Sequence, residues 1–258
     1  MNLNLSPLET VVYFTFIVSF FGMIAGSVFF AMQRNAVPKD YQSSMVITAI
    51  ILLIAAMNYY YMKEIYLIGI ADGSETFPTE FRYIDWLLTV PLMLIKFPSM
   101  LGLGPKGLRF LVILVVLSLL MITTGFLGEI NFDQPTIHYG LFAVGSVAWL
   151  LIVAMLFFSL SDLPEQVDHF KRTAITRMAW FVLIGWAIYP LGYLAPTFGL
   201  EPAVRELVYN VGDLINKVGL GLFVFAAGVA SAKYQRELAA YQSQVAEGDV
   251  PYEEQTSA

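Results

Sequence analysis

Apolar stretches of about twenty residues recur along the chain, separated by short polar connections that hold most of the charge. A helix needs roughly 20 apolar residues to cross a hydrocarbon core, so each stretch predicts one span. There are seven: Val11 to Met32, Met45 to Tyr66, Arg82 to Phe97, Arg109 to Leu127, Tyr139 to Leu160, Ile175 to Tyr193 and Glu206 to Val229. The expected fold is an all-α membrane protein, a bundle of seven transmembrane helices over residues 1–241. The polar, acidic tail 242–258 is expected to lack stable structure. The first span is not a signal peptide, because no Lys or Arg precedes it and its apolar run is too long for an h-region.

Composition agrees: 58% of the 258 residues are hydrophobic and 13% charged, against roughly 25% charge in an average soluble chain. A soluble enzyme and a disordered protein are excluded. A net charge of −6 gives no footprint for nucleic acid, and the absence of Cys removes disulfides, thiolate metal sites and a Cys nucleophile. The basic residues set the orientation. Arg34, Lys39, Lys106, Arg109, Lys171, Arg172, Arg177, Lys233 and Arg236 fall on alternate connections and the tail, whereas the other side holds only Lys63 and Arg205. The positive-inside rule then places the N-terminus outside and the C-terminus in the cytoplasm.

The remaining three basic residues, Arg82, Lys96 and Lys217, lie within spans, where an ionisable group costs several kcal/mol unless paired, hydrated or neutralised. In the third span Arg82, Asp85, Thr89, Met93 and Lys96 follow at steps of three or four, which aligns them on one helical face. Asp213 and Lys217 are one turn apart in the seventh. Placed at matching depth, Arg82, Asp85, Asp213 and Lys217 are expected to form one buried, nearly neutral cluster. Trp186, Tyr189, Pro190 and Tyr193 form a stripe of rings around a proline in the sixth span. Such a stripe suits helix packing as well as a cofactor wall.

Three stretches carry a family resemblance: Arg82-Tyr-Ile-Asp85-Trp86-Leu-Leu-Thr89-Val-Pro91-Leu, Gly185-Trp186-Ala-Ile-Tyr189-Pro190-Leu-Gly-Tyr193 and Tyr209-Asn-Val-Gly-Asp213-Leu-Ile-Asn216-Lys217. They resemble the third, sixth and seventh helices of the microbial (type 1) rhodopsins, most closely the proteorhodopsin and xanthorhodopsin-like bacterial proton pumps. The resemblance implies all-trans retinal bound as a protonated Schiff base to Lys217. It makes Asp85 the counter-ion and proton acceptor, Asp213 the second counter-ion, Arg82 the arginine below them and Thr89 the threonine beside the Schiff base. Trp86, Met93, Trp186, Tyr189, Pro190 and Tyr193 would enclose the polyene. A light-driven outward proton pump in a bacterial plasma membrane follows, a homo-oligomer and not an enzyme; the alternative is a photosensor signalling through a partner protein.

The subtype rests on Asp85, Thr89 and Lys96. Sodium pumps of the family carry Asn, Asp and Gln there, and chloride pumps lack the first Asp, so Asp85 implies proton transport. Outward pumps usually have a carboxylic acid at the third position; Lys96 resembles a small lysine-donor subgroup. Desolvation favours a neutral amine that can capture and pass on a proton. The alternative is a boundary charge, since Lys96 lies roughly 16 Å along the helix from Asp85, within snorkelling range of the interface. Asn58 stands where proteorhodopsins have a His that pairs with the acceptor; it is also read as a hydrogen bond between helices. Phe142, where carotenoid-binding relatives carry Gly, argues against an antenna. Glu201 and Glu206 are candidates for proton release, or surface residues at a helix start. His138 and His169 fall at span edges or in loops, and neither is expected to be catalytic.

Overall fold

The computed structural model describes residues 5–72, 77–101, 104–161 and 169–247. The last eleven residues of the expected tail lie outside the described residues, as does the side chain of Lys106. The helices are α1 (Pro7–Met32), α2 (Lys39–Ala71), α3 (Arg82–Leu101), α4 (Gly104–Glu129), α5 (Pro135–Ser161), α6 (His169–Trp186), α7 (Ile188–Leu194) and α8 (Pro202–Glu247). No strand occurs among the described residues.

Local chemistry explains several boundaries. At α1, Ser6 and Glu9 form a reciprocal capping box ahead of Pro7, with the Ser6 amide donating to Glu9 Oε2 at 2.7 Å. The sixth span is two helices because Pro190 has no N–H for the Trp186 carbonyl, so the helix is interrupted at Ala187. Gly199, at φ 70°, takes the left-handed conformation that ends the following turn before α8. The seventh span outruns its apolar stretch: α8 continues to Glu247 through residues that favour helix, so 242–247 of the expected tail are helical.

The helices close into a ring in which α1 packs on α2 and α8, α3 lies between α2 and α4, α5 joins α4 to α6, and α6 returns to α8. Large apolar side chains such as Phe14, Phe21, Val147 and Ile184 face outward, while Arg82, Asp85, Thr89, Lys96, Asp213 and Lys217 are buried. That distribution suits a lipid solvent, in which polar groups turn inward to find partners. Among the described residues, six helical spans are long and apolar enough to cross a membrane. The third, expected from sequence as a seventh, is α3, which carries Arg82, Asp85 and Lys96. The residues that lower its apolarity are those of the site.

Candidate functional site

The five residues aligned on α3 are all buried: Arg82, Thr89 and Lys96 at 0% exposure, Asp85 at 1% and Met93 at 3%. Helical spacing turns them toward α8, where Asp213 and Lys217 stand one turn apart. Lys217 Nζ lies 2.9 Å from Asp85 Oδ2 and 3.0 Å from Asp213 Oδ1, between two carboxylates on different helices.

The carboxylates are held differently. Asp213 accepts hydrogen bonds from the Tyr59 hydroxyl at 2.9 Å, the Tyr189 hydroxyl at 2.7 Å and Trp86 Nε1 at 3.2 Å. Beyond its ion pair with Lys217, Asp85 has no hydrogen-bond partner for its carboxylate oxygens among the described residues. The Thr89 hydroxyl donates instead to the Asp85 backbone carbonyl at 2.9 Å. Asp213 is thus the more fully hydrogen-bonded of the two carboxylates.

Arg82 is not part of a four-membered cluster. It makes no ion pair with Asp85 or Asp213 among the described residues and donates to Glu206 through Nε (3.0 Å) and Nη2, to Asn210 Oδ1 (2.7 Å) and to the Tyr59 hydroxyl (3.2 Å). Tyr59 therefore bridges Arg82 to Asp213. Glu206, at 1% exposure, is no surface residue, whereas Glu201 is exposed. Beyond Glu206 the chain of contacts continues to Thr79, Arg205 and Glu129.

A cavity of about 100 Å³ opens beside Lys217, the only charged side chain among the described residues that line it. Trp86, Met93, Trp186, Tyr189, Pro190 and Tyr193, the six wall residues expected from sequence, all line it. The remaining wall comes largely from α4 and α5, including Met121, Gly125, Gly145 and Trp149. An apolar chamber with one amine among its described lining residues fits an aldehyde-bearing polyene, so these residues fit retinal. Phe142 also lines the cavity and stacks on Tyr193 at 4.9 Å. His138 is buried behind Tyr193, stacked at 4.5 Å with Nδ1 2.8 Å from the Gly128 carbonyl, so it supports the wall. His169 is exposed.

Lys96 lies apart from this cluster. Its Nζ has neither a hydrogen-bond partner nor an ion pair among the described residues, and the side chain does not reach the surface. The Ser99 hydroxyl donates to the Lys96 carbonyl at 2.9 Å and lies 3.5 Å from the Ser44 hydroxyl of α2. Asn58 does not face Asp85; its side chain donates to the Phe81 carbonyl at 3.3 Å, a bond from α2 to the turn before α3.

Sequence reading missed Tyr59, Asn210, the α4 wall and, Phe142 apart, the α5 wall. Glu206, Asn210, Asp213 and Lys217 follow at steps of four, three and four, one face of α8, and that spacing was the signal for the first two. Tyr59 and the α4 and α5 residues had none, since aromatic and small apolar side chains are as common facing lipid as facing a cavity.

Fold and site together define a multi-pass helical membrane protein with a buried lysine, paired with two carboxylates, opening onto an apolar chamber. The chain belongs to the bacteriorhodopsin-like protein family, whose model matches residues 10–231. It is 33% identical over 214 residues to a blue-light absorbing proteorhodopsin from Gamma-proteobacterium Hot 75m4, covering 81% of this chain and 82% of the relative. The crystal structure of Exiguobacterium sibiricum rhodopsin superimposes with a TM-score of 0.77 at 38% identity, covering 86% of this chain and 98% of that one. A sensory rhodopsin-2 from Natronomonas pharaonis is 29% identical over 224 residues, covering 84% and 90%.

Proposed function

We propose that the protein is a light-driven outward proton pump of a bacterial plasma membrane, with all-trans retinal carried on Lys217 and the N-terminus outside. The observation that carries this reading is Lys217 Nζ held 2.9 Å from a carboxylate that lacks other donors and 3.0 Å from one with three. The proteorhodopsin likeness supports the same reading.

Bound at Lys217, retinal would supply light absorption and isomerisation. The chain's own groups do the rest. Asp85 takes the proton from Lys217 Nζ, and Asp213 stays ionised under its three donors. Lys96, buried without a counter-ion, rests as the neutral amine, captures a cytoplasmic proton and passes it toward Lys217. The orientation rests on the charge distribution. The ion pair between Lys171 and Asp40, at 2.6 Å, supports it by setting the starts of α2 and α6 side by side, among the basic connections.

Flash photolysis tests the pump against the sensory alternative. A pump returns the proton to Lys217 Nζ quickly, read as recovery of visible absorption; a sensor does so slowly. Lys96→Ala is expected to slow that recovery at least about tenfold, about 1.4 kcal/mol of barrier, and the slowing should grow as pH rises from roughly 6 to 10. Loss of the proton from Lys217 should keep its rate, because Asp85 is left in place. Unchanged recovery in the variant would reduce Lys96 to a boundary charge.

A further inference from the structure

Tyr193, near the end of α7, closes the chamber on the side away from the lysine. Of the described lining residues α8 supplies only Lys217 and Tyr209, and Tyr189, one turn before Tyr193, bonds Asp213, so a ligand carried on Lys217 extends from α8 toward the α4 and α5 walls. There Tyr193 stacks on two rings of α5 that stand one turn apart, Phe142 at 4.9 Å and His138 at 4.5 Å. Phe142 lines the chamber, whereas His138 is not among the lining residues, nor is Gly128 of α4. The Tyr193 hydroxyl is turned toward these two: it lies 3.0 Å from His138 Nδ1 and donates to the His138 carbonyl at 3.3 Å. The Gly128 carbonyl can only accept, so His138 Nδ1 carries the proton of the 2.8 Å bond between them, which ties the imidazole to the end of α4. Phe132 and Tyr139 box the imidazole in with edge contacts at 5.2 and 4.9 Å. A Cβ on Gly128 would collide with the Tyr193 hydroxyl, so only glycine leaves that hydroxyl its place.

We infer that His138 and Gly128 are positioning residues that set the size of ring the chamber accepts at the end of a retinoid, by fixing from behind how far Tyr193 reaches into it. Interiors are packed closely enough that a wall side chain rests where its own backing stops it. Loss of the His138 ring leaves a space behind Tyr193 into which the phenol can tilt, and the chamber widens. A methyl group added at Gly128 acts in the opposite sense, because it pushes the hydroxyl end of Tyr193 toward the chamber and narrows it. His138 Nε2 has no hydrogen-bond partner among the described residues, so the side chain acts here as bulk held by Nδ1. Neither residue touches the ligand in this account; both act through Tyr193.

The inference rests on the reading that retinal occupies the chamber on Lys217. It is tested by the half-saturating concentration for pigment formation by the full chain with three aldehydes: all-trans retinal, an analogue with an ethyl group in place of one ring methyl, and an analogue with that methyl removed. His138→Ala should shift preference toward the ethyl analogue, relative to retinal, by about tenfold or more, the scale on which an apolar pocket discriminates one methylene. Gly128→Ala should shift preference toward the analogue with the smaller ring by a similar factor, about tenfold. A merely structural role would weaken all three aldehydes alike. Unmoved ratios in either variant, or a shift of both in the same direction, overturn the inference. If His138→Ala forms no pigment with any of the three, His138→Asn, which keeps an N–H at the place of Nδ1 and removes part of the ring, should shift preference in the same direction, and an unmoved ratio there overturns the inference equally. If Gly128→Ala forms none, the double variant with His138→Ala should recover pigment, because the displaced hydroxyl gains the vacated space; failure to recover it counts against the inference. Absence of pigment with all-trans retinal in the unaltered protein would instead sink the retinal reading itself.

Discussion

Lys217→Ala is expected to leave the protein unable to form a visible pigment with all-trans retinal. Lys217 is the one amine among the described residues that line the cavity, and Lys96, the other buried lysine among the described residues, does not line it. Removal of Lys217 also leaves Asp85 and Asp213 without the cation between them. An uncompensated buried charge of this kind costs about 3–5 kcal/mol, so the variant should also unfold more readily. Circular dichroism separates the two effects: a helical variant without visible absorption supports the attachment site, whereas a normal pigment in Lys217→Ala would refute it.

Asp85→Asn is expected to red-shift the pigment and to reduce transport at least about a hundredfold, the scale on which loss of a positioned proton acceptor acts. A negative charge beside Lys217 Nζ stabilises the positive charge localised there in the ground state more than the delocalised excited state. Its removal narrows the gap and lengthens the wavelength. Asp213 should not substitute, because Tyr59, Tyr189 and Trp86 already occupy it as donors. An absorption spectrum without a shift, together with undiminished light-driven transport, would remove Asp85 from the acceptor role.

The lysine and its carboxylates were legible in the sequence for a physical reason. Ionisable residues inside apolar runs are costly, so a set of them at helical spacing on α3 and α8 singles itself out. Spacing alone left the aromatic stripe open between helix packing and a cofactor wall, and it was the family resemblance that implied Met93 and the stripe would line the cavity. It gave no warning that Pro190 would divide the sixth span, since proline is tolerated in membrane helices with or without a break. Nor did it show that Arg82 would turn toward Glu206. A long side chain on a correctly placed helix still chooses among anions above and below it, and that choice depended on Glu206, Asn210 and Tyr59 coming together from two other helices. The C-terminal end of α8 was missed because the apolar stretch marks where lipid ends, while helix propensity carries the backbone on to Glu247.

The most direct test of the pump is to illuminate unbuffered cells that make the protein, supplied with all-trans retinal, while the pH of the medium is recorded. The account predicts acidification when the light is on, recovery in the dark, and loss of the signal with a protonophore. No light-dependent change in a pigmented culture, or a light-driven rise in external pH, would contradict outward proton transport.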